Sequence, residues 1–166
     1  MSAASRIPLS SLRRALMEGV SLRGRSESSA CRFRVSKLVP YLAIAPHGGH
    51  RVRRDVARTL TIDERARERK EALGTDRLVT AAPIYVVSAD SRFDYDLELS
   101  EEAQRLAPGQ PAEIAAESLA RHREVVGVLE ALVKAIIERF GACLVFEVDA
   151  FDAPSAPAAS CERPTL

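Results

Sequence analysis

Tryptophan is absent from this chain of 166 residues, and Phe, Tyr and Trp together make up only 5%. So thin an aromatic supply weakens any reading as a base-stacking nucleic-acid platform. Long apolar runs are also missing: none approaches the roughly 18–20 residues needed to cross a bilayer. Charge of one sign is lacking, because 24 Lys and Arg stand against 23 Asp and Glu for a net +1. No global field therefore argues for nucleic acid or an anionic membrane as partner. Cysteine is scarce: Cys31, Cys143 and Cys161 are an odd number with no Cys-x-x-Cys spacing. They read as free thiols in a reducing, cytoplasmic compartment.

What remains is the composition of an ordinary globular domain, 46% hydrophobic and 28% charged, long enough to bury one sizeable core. Residues 1–30 are rich in Arg and Ser and read as a flexible or partly helical N-terminal extension, with Leu9, Leu12, Leu16 and Val20 on one side. The folded domain is expected over 31–151. Residues 152–166 hold three prolines and almost no large apolar side chain, and read as a disordered tail.

Three short, nearly continuous apolar runs, "YLAIA" (41–45), "PIYVVSA" (83–89) and "ACLVFEV" (142–148), predict buried strands. The alternating stretch 32–39 predicts an edge strand. Between them, 61–73 opens with a Thr61–Glu64 capping-box spacing and predicts a charged surface helix. The segment 111–141 predicts the main helix: Val125, Leu129, Leu132, Ile136 and Phe140 recur at helical spacing, and Gly141 suits the position just past its end. The fold class is α/β with a mostly parallel sheet.

In such sheets ligands gather beyond the carboxyl ends of the strands. The first strand is followed by His47 and His50, the second by Asp90, Ser91 and Arg92, and the third ends in Glu147 and Asp149. Two histidines three apart around a glycine pair suit a shared metal, while a loop whose histidines cap backbone groups gives the same pattern. His122, at the rim of the long helix's apolar face, reads as a packing residue. Arg51 and Arg92 are of the type that grips carboxylates in a bidentate fork, so a small anionic substrate would suit this end of the sheet.

Three stretches in order, "APHGGHRVR" (45–53), "SADSRFDYDLE" (88–98) and "SLARHREVVGVLEALVKAIIERFGACLVFEVDAF" (118–151), resemble the N-formylglutamate amidohydrolase family in its divergent branch. The resemblance spans about 35–151. It implies a three-layer α/β/α fold of the zinc-carboxypeptidase-like kind, and a Zn2+-dependent hydrolase releasing formate from N-formylglutamate or a similar N-acyl acidic amino acid. By position it implies His47 and His50 as metal ligands, with Arg92, Asp96 and Arg51 on the substrate. Asp149 stands where the family has a metal-binding His, and Glu147 is the residue available as catalytic acid–base group.

Two departures point to the other reading, a degenerate, non-catalytic binding or regulatory module. Glu98 and Leu99 replace an Asn and a substrate-binding Arg, and Asp149 replaces a His. The family domain also continues past the last strand, so the resemblance implies a truncated sheet. Its exposed edge would favour a homodimer.

Overall fold

The computed structural model describes residues 5–102 and 111–150. The elements run α1 (Leu9–Met17), β1 (Leu22–Arg25), β2 (Cys31–Val35), β3 (Tyr41–Ala45), α2 (Arg54–Ala57), α3 (Glu64–Lys70) and α4 (Thr75–Leu78). A 3-10 turn (Val79–Ala81), β4 (Ile84–Ser88), α5 (Ala112–Phe140) and β5 (Leu144–Glu147) follow. The three apolar runs form β3, β4 and β5, and the long amphipathic segment forms α5, closed by Gly141 at φ +81°. A left-handed residue there is what ends the helix and lets the next strand begin.

The sheet has five strands in the order β1-β2-β4-β3-β5. Its architecture is α/β, but mixed rather than mostly parallel: β4 and β5 run parallel to β3, whereas β1–β2 and β2–β4 are antiparallel. The physical reason is visible in β2. Its buried–exposed alternation is the pattern of an antiparallel strand with one wet face, not of a strand covered on both sides. Nor is β2 an edge strand, because β1 pairs along its outer side.

That pairing also changes the reading of residues 1–30. From residue 5 onward the segment belongs to the fold: Leu12 and Leu16 of α1 are buried, and Leu9 packs closely enough on α5 that a Cβ on Gly127 would lie 3.1 Å from it. An amphipathic nine-residue helix is marginal alone, and packing on α5 supplies its stability.

Leu42, Ile44, Ile84, Val86, Phe33 and Val35 turn to this helical side and meet Val125, Val128, Leu132 and Ile136 of α5 in the main core. Burying each such side chain contributes about 1.5–3 kcal/mol. On the opposite face Ala43, Ala45, Tyr85 and Val87 form a smaller cluster with Val79.

Smaller differences from expectation are local. The charged helix starts at Glu64, and its cap is Asp63, whose side chain accepts from the Ala66 backbone N–H; Thr61 plays no such part. Ile137 and Phe140 are exposed rather than in the core, as are Leu144, Val145 and Phe146 of β5. β5 therefore stands as a sheet edge among the described residues, not as a strand buried on both faces. The segment 152–166, read as a disordered tail, lies outside the described residues, as does Cys161; Cys31 and Cys143 are free thiols. No described helix is long and apolar enough to cross a membrane.

Candidate functional site

Because β3, β4 and β5 are mutually parallel, their carboxyl ends open at one end of the sheet. Three local devices bring the following loops together there. The loop after β3 runs against the end of β4, held by Arg51 N–H to the Ala89 carbonyl (3.3 Å) and Ser91 N–H to the Arg51 carbonyl (2.9 Å). Gly49 allows this approach, since a Cβ there would sit 2.3 Å from the Ala89 carbonyl carbon. Past β5, the Val148 N–H donates to the Ile44 carbonyl (2.8 Å), which lays Asp149 beside the end of β3.

His47 is the centre of what results. Its side chain is fully buried, with Nε2 2.8 Å from Asp96 Oδ1 and Nδ1 3.1 Å from Asp149 Oδ2. Arg92 donates to Asp96 Oδ2 at 2.8 Å and to Glu98 Oε2 at 3.4 Å. Asp96 Oδ1 also accepts from the Glu98 backbone N–H at 3.0 Å. Burial alone would disfavour a charged His47, but its bonds to Asp96 and Asp149 outweigh that and raise its pKa. Burial likewise pushes Asp96 up, yet the bonds from His47, the Glu98 backbone and Arg92 dominate and hold it well below the usual carboxylate range.

His47, Glu98 and Asp149 each offer one ligand atom, all within 4.8 Å of one another. One nitrogen and two carboxylate oxygens match the donor chemistry of zinc, which in catalytic sites takes three protein ligands and keeps a fourth position open. With Asp96 accepting from Nε2–H, the lone pair of neutral His47 lies on Nδ1, on the side of Asp149. A carboxylate behind the ligating imidazole is the usual way its tautomer is fixed. The residues therefore fit the metal.

Other sequence-based candidates lie elsewhere. His50 does not join His47: its Nδ1 is 3.2 Å from Glu71 Oε2, a fully buried carboxylate that also accepts from Arg67 and from Ser91 Oγ (2.5 Å). Three residues along this loop do not return to the same side, because the loop is pinned to the end of β4 at Arg51, directly after His50, and Gly49 lies against Ala89. Arg51 is committed to Asp90 (Nε–Oδ1 2.6 Å) and the Ser29 carbonyl (2.8 Å). Glu147 is exposed in β5, two residues before Asp149. His122 is buried in α5, ring edge against Tyr95.

The segment carrying Arg92, Asp96 and Glu98 is itself anchored. Fully buried Asp90 accepts from Arg51, Arg121 (3.1 Å) and the Tyr95 hydroxyl (3.3 Å). Asp94 accepts from Arg53 (3.0 Å) and Ser118 (2.6 Å); burial raises its pKa against the pull of both. These pairs tie the loop after β4 to the first half of α5.

Two residues with site roles escaped the sequence reading. Glu98 had a usable signal in its closeness to Asp96, and the two meet in a turn that Leu99 N–H closes onto the Asp96 carbonyl (3.1 Å). Glu71 had none, because its link to His50 is purely tertiary. Compared with family models, with curated proteins and with solved structures, the chain has no match in any of the three.

Proposed function

We propose that this chain is a zinc-dependent amidohydrolase acting on N-formylglutamate or a similar N-acyl acidic amino acid, on a fold of the zinc-carboxypeptidase-like kind. The observation that carries the reading is the convergence of His47, Glu98 and Asp149 from three separate chain segments at the carboxyl end of the sheet. When bound, zinc polarises an amide carbonyl and lowers the pKa of its water. The protein's own part is positioning. Asp96 holds Nε2–H of His47 and so presents Nδ1, and Glu98 and Asp149 supply two negative charges beside it.

Arg92 stands next to this set. Its 3.4 Å contact with Glu98 is longer than its 2.8 Å bond to Asp96. A substrate carboxylate would take over the Glu98 side of that guanidinium once Glu98 turns to the metal.

A non-catalytic binding module is the second reading, and a specific observation favours it. Both ring nitrogens of His47 already face carboxylates, and His50 is turned to Glu71. Elemental analysis of the purified chain beside His47→Ala separates the cases. About one zinc per chain, lost in His47→Ala and retained in His50→Ala, is expected, followed by formate release from N-formylglutamate. Zinc without formate release would select the binding module. No zinc after incubation with excess metal would overturn the hydrolase and leave the non-catalytic module.

A further inference from the structure

Four arginines outside this site stand together in the sheet. In the β1–β2 ladder Arg23 lies directly opposite Arg34, and Arg25 directly opposite Arg32. Register partners share a face and so do residues two apart, so the four form one block on a single face, with about 5 Å across the strands and 7 Å along them. It is the face away from the main core, because Phe33 and Val35, between and beyond them, point into that core.

The chain before α1 lengthens the row. Ile7 N–H donates to the Arg25 carbonyl (2.8 Å) and Arg25 N–H to the Ser5 carbonyl (3.0 Å), bridging Arg6 to Arg25 in parallel register. The approach depends on Gly24, where a Cβ would lie 2.4 Å from the Ile7 side chain.

Like charges placed directly opposite in a ladder are destabilising, so such a block has a standing cost that a counter-ion would remove. Protein groups do little of this. Arg32 pairs with Asp76 at 2.5 Å, but among the described residues no ion pair engages Arg6, Arg23, Arg25, Arg34 or Arg77.

Above the block is a cavity of about 350 Å³, lined by Arg23, Arg25, Arg32 and Arg77 with Thr80, Tyr85 and the single acid Asp76. That volume is at the small-molecule end of the range for ligand pockets. The basic groups are all arginine, the residue whose planar fork grips phosphate by two bonds. The two aromatic residues at its wall, Phe33 and Tyr85, are buried, so the pocket shows no apolar anchor for a lipid surface and no open ring for a stacked base.

We propose that this pocket on the outer face of β1 and β2 binds the di- or triphosphate group of a small soluble ligand through Arg23, Arg25 and Arg77, which line it. It is separate in residues from the His47 site and does not depend on that site's chemistry.

Calorimetric titration of the full chain with inorganic tripolyphosphate at low ionic strength tests this. One-to-one binding is expected, weakened at least about tenfold in Arg23→Gln/Arg25→Gln, as loss of charge-assisted bonds implies. The ligand-free double variant should melt no lower than the parent, since it removes one member of each opposed arginine pair. Asp76→Asn should tighten binding, and Arg77→Gln, on a different element, should weaken it even if the double variant does not fold. Absence of binding, or binding by Arg77→Gln and the double variant as tight as the parent's, would overturn the proposal. So would binding of an unphosphorylated-end single-stranded oligonucleotide or of phosphatidylserine vesicles without binding of tripolyphosphate; these outcomes would assign the face to a nucleic acid or a membrane.

Discussion

Along β2 the two faces of the sheet alternate residue by residue: Cys31, Phe33 and Val35 are buried toward α1 and α5, while Arg32 and Arg34 between them face the side where only the small Val79 cluster packs. The same alternation continues through β3 and β4, where Leu42, Ile44, Ile84 and Val86 enter the large core and Ala43, Ala45, Tyr85 and Val87 the small one. One face thus carries most of the apolar burial, and burial is what dominates folding free energy. The other is free to hold charge, because little core depends on it. Adjacent positions on one strand can therefore differ by an order of magnitude in what they contribute to stability.

The sharpest way to break this contrast is to truncate neighbours. Phe33→Ala empties a fully buried site and is expected to cost about 3–5 kcal/mol. Arg34→Ala, one residue on, is expected to stay within about 0.5 kcal/mol. Urea unfolding of the two variants reads the difference directly. Comparable midpoints would mean that the arginine face is as much a part of the core as the helical one.

A smaller effect distinguishes the two sides of the histidine loop. Gly49 abuts backbone at the end of β4, where a Cβ would meet the Ala89 carbonyl carbon at 2.3 Å, and backbone in a sheet cannot step aside. Gly48 instead faces the looser side: its Cβ would lie 3.0 Å from the Ala45 Cβ and 3.1 Å from the Asp76 Cβ. Gly49→Ala is expected to cost about 1–3 kcal/mol or more, and Gly48→Ala less than that. Thermal melts of both variants, with zinc content measured on the same samples, give the comparison. An equal cost would show that Asp76 and its neighbours are as rigid as the sheet.

How much of this was legible beforehand follows the same division. β3, β4, β5 and α5 were readable because their signals are local: unbroken apolar runs, a 3.6-residue period and a glycine stop. The place of the site was readable for a related reason, since the ends of those strands had to hold whatever polar residues follow them. His47, Asp96, Arg92 and Asp149 meet there.

What could not be read depends on pairing between distant segments. Nothing local says that residues 22–25 add a strand outside β2, so the antiparallel half of the sheet and the opposed arginines were invisible. His50 looked equivalent to His47 by spacing. Only the pinning of the loop to β4, and the buried Glu71 twenty-one residues on, send it elsewhere.

The smallest expected effect comes from a polar intrusion into the covered face of α5, which also buries Ser118. His122 is buried, meets the Tyr95 ring edge-on at a centroid distance of 6.3 Å, and among the described residues neither of its ring nitrogens makes a hydrogen bond of ordinary geometry. Burial lowers its pKa from 6.5, opposed by the Leu99 backbone and Glu101, with Arg123 adding to the lowering and Asp96 opposing it. Between the lowered value and 6.5 the unfolded chain binds more protons than the folded one. Stability contributed through this residue is therefore complete above pH 6.5 and falls as pH drops below it, by no more than about 1.4 kcal/mol per pH unit. His47 acts with the opposite sign. Its raised pKa gives stability that is full below 6.5 and fades as pH rises through the raised value. The wild-type profile mixes the two, so the informative quantity is the difference between wild type and His122→Phe. Urea midpoints taken from neutral to mildly acidic pH should show the variant gaining on the parent as pH falls below 6.5. A constant gap across that range would mean that His122 reaches water, and that the helical face is less closed at this point than at Phe33.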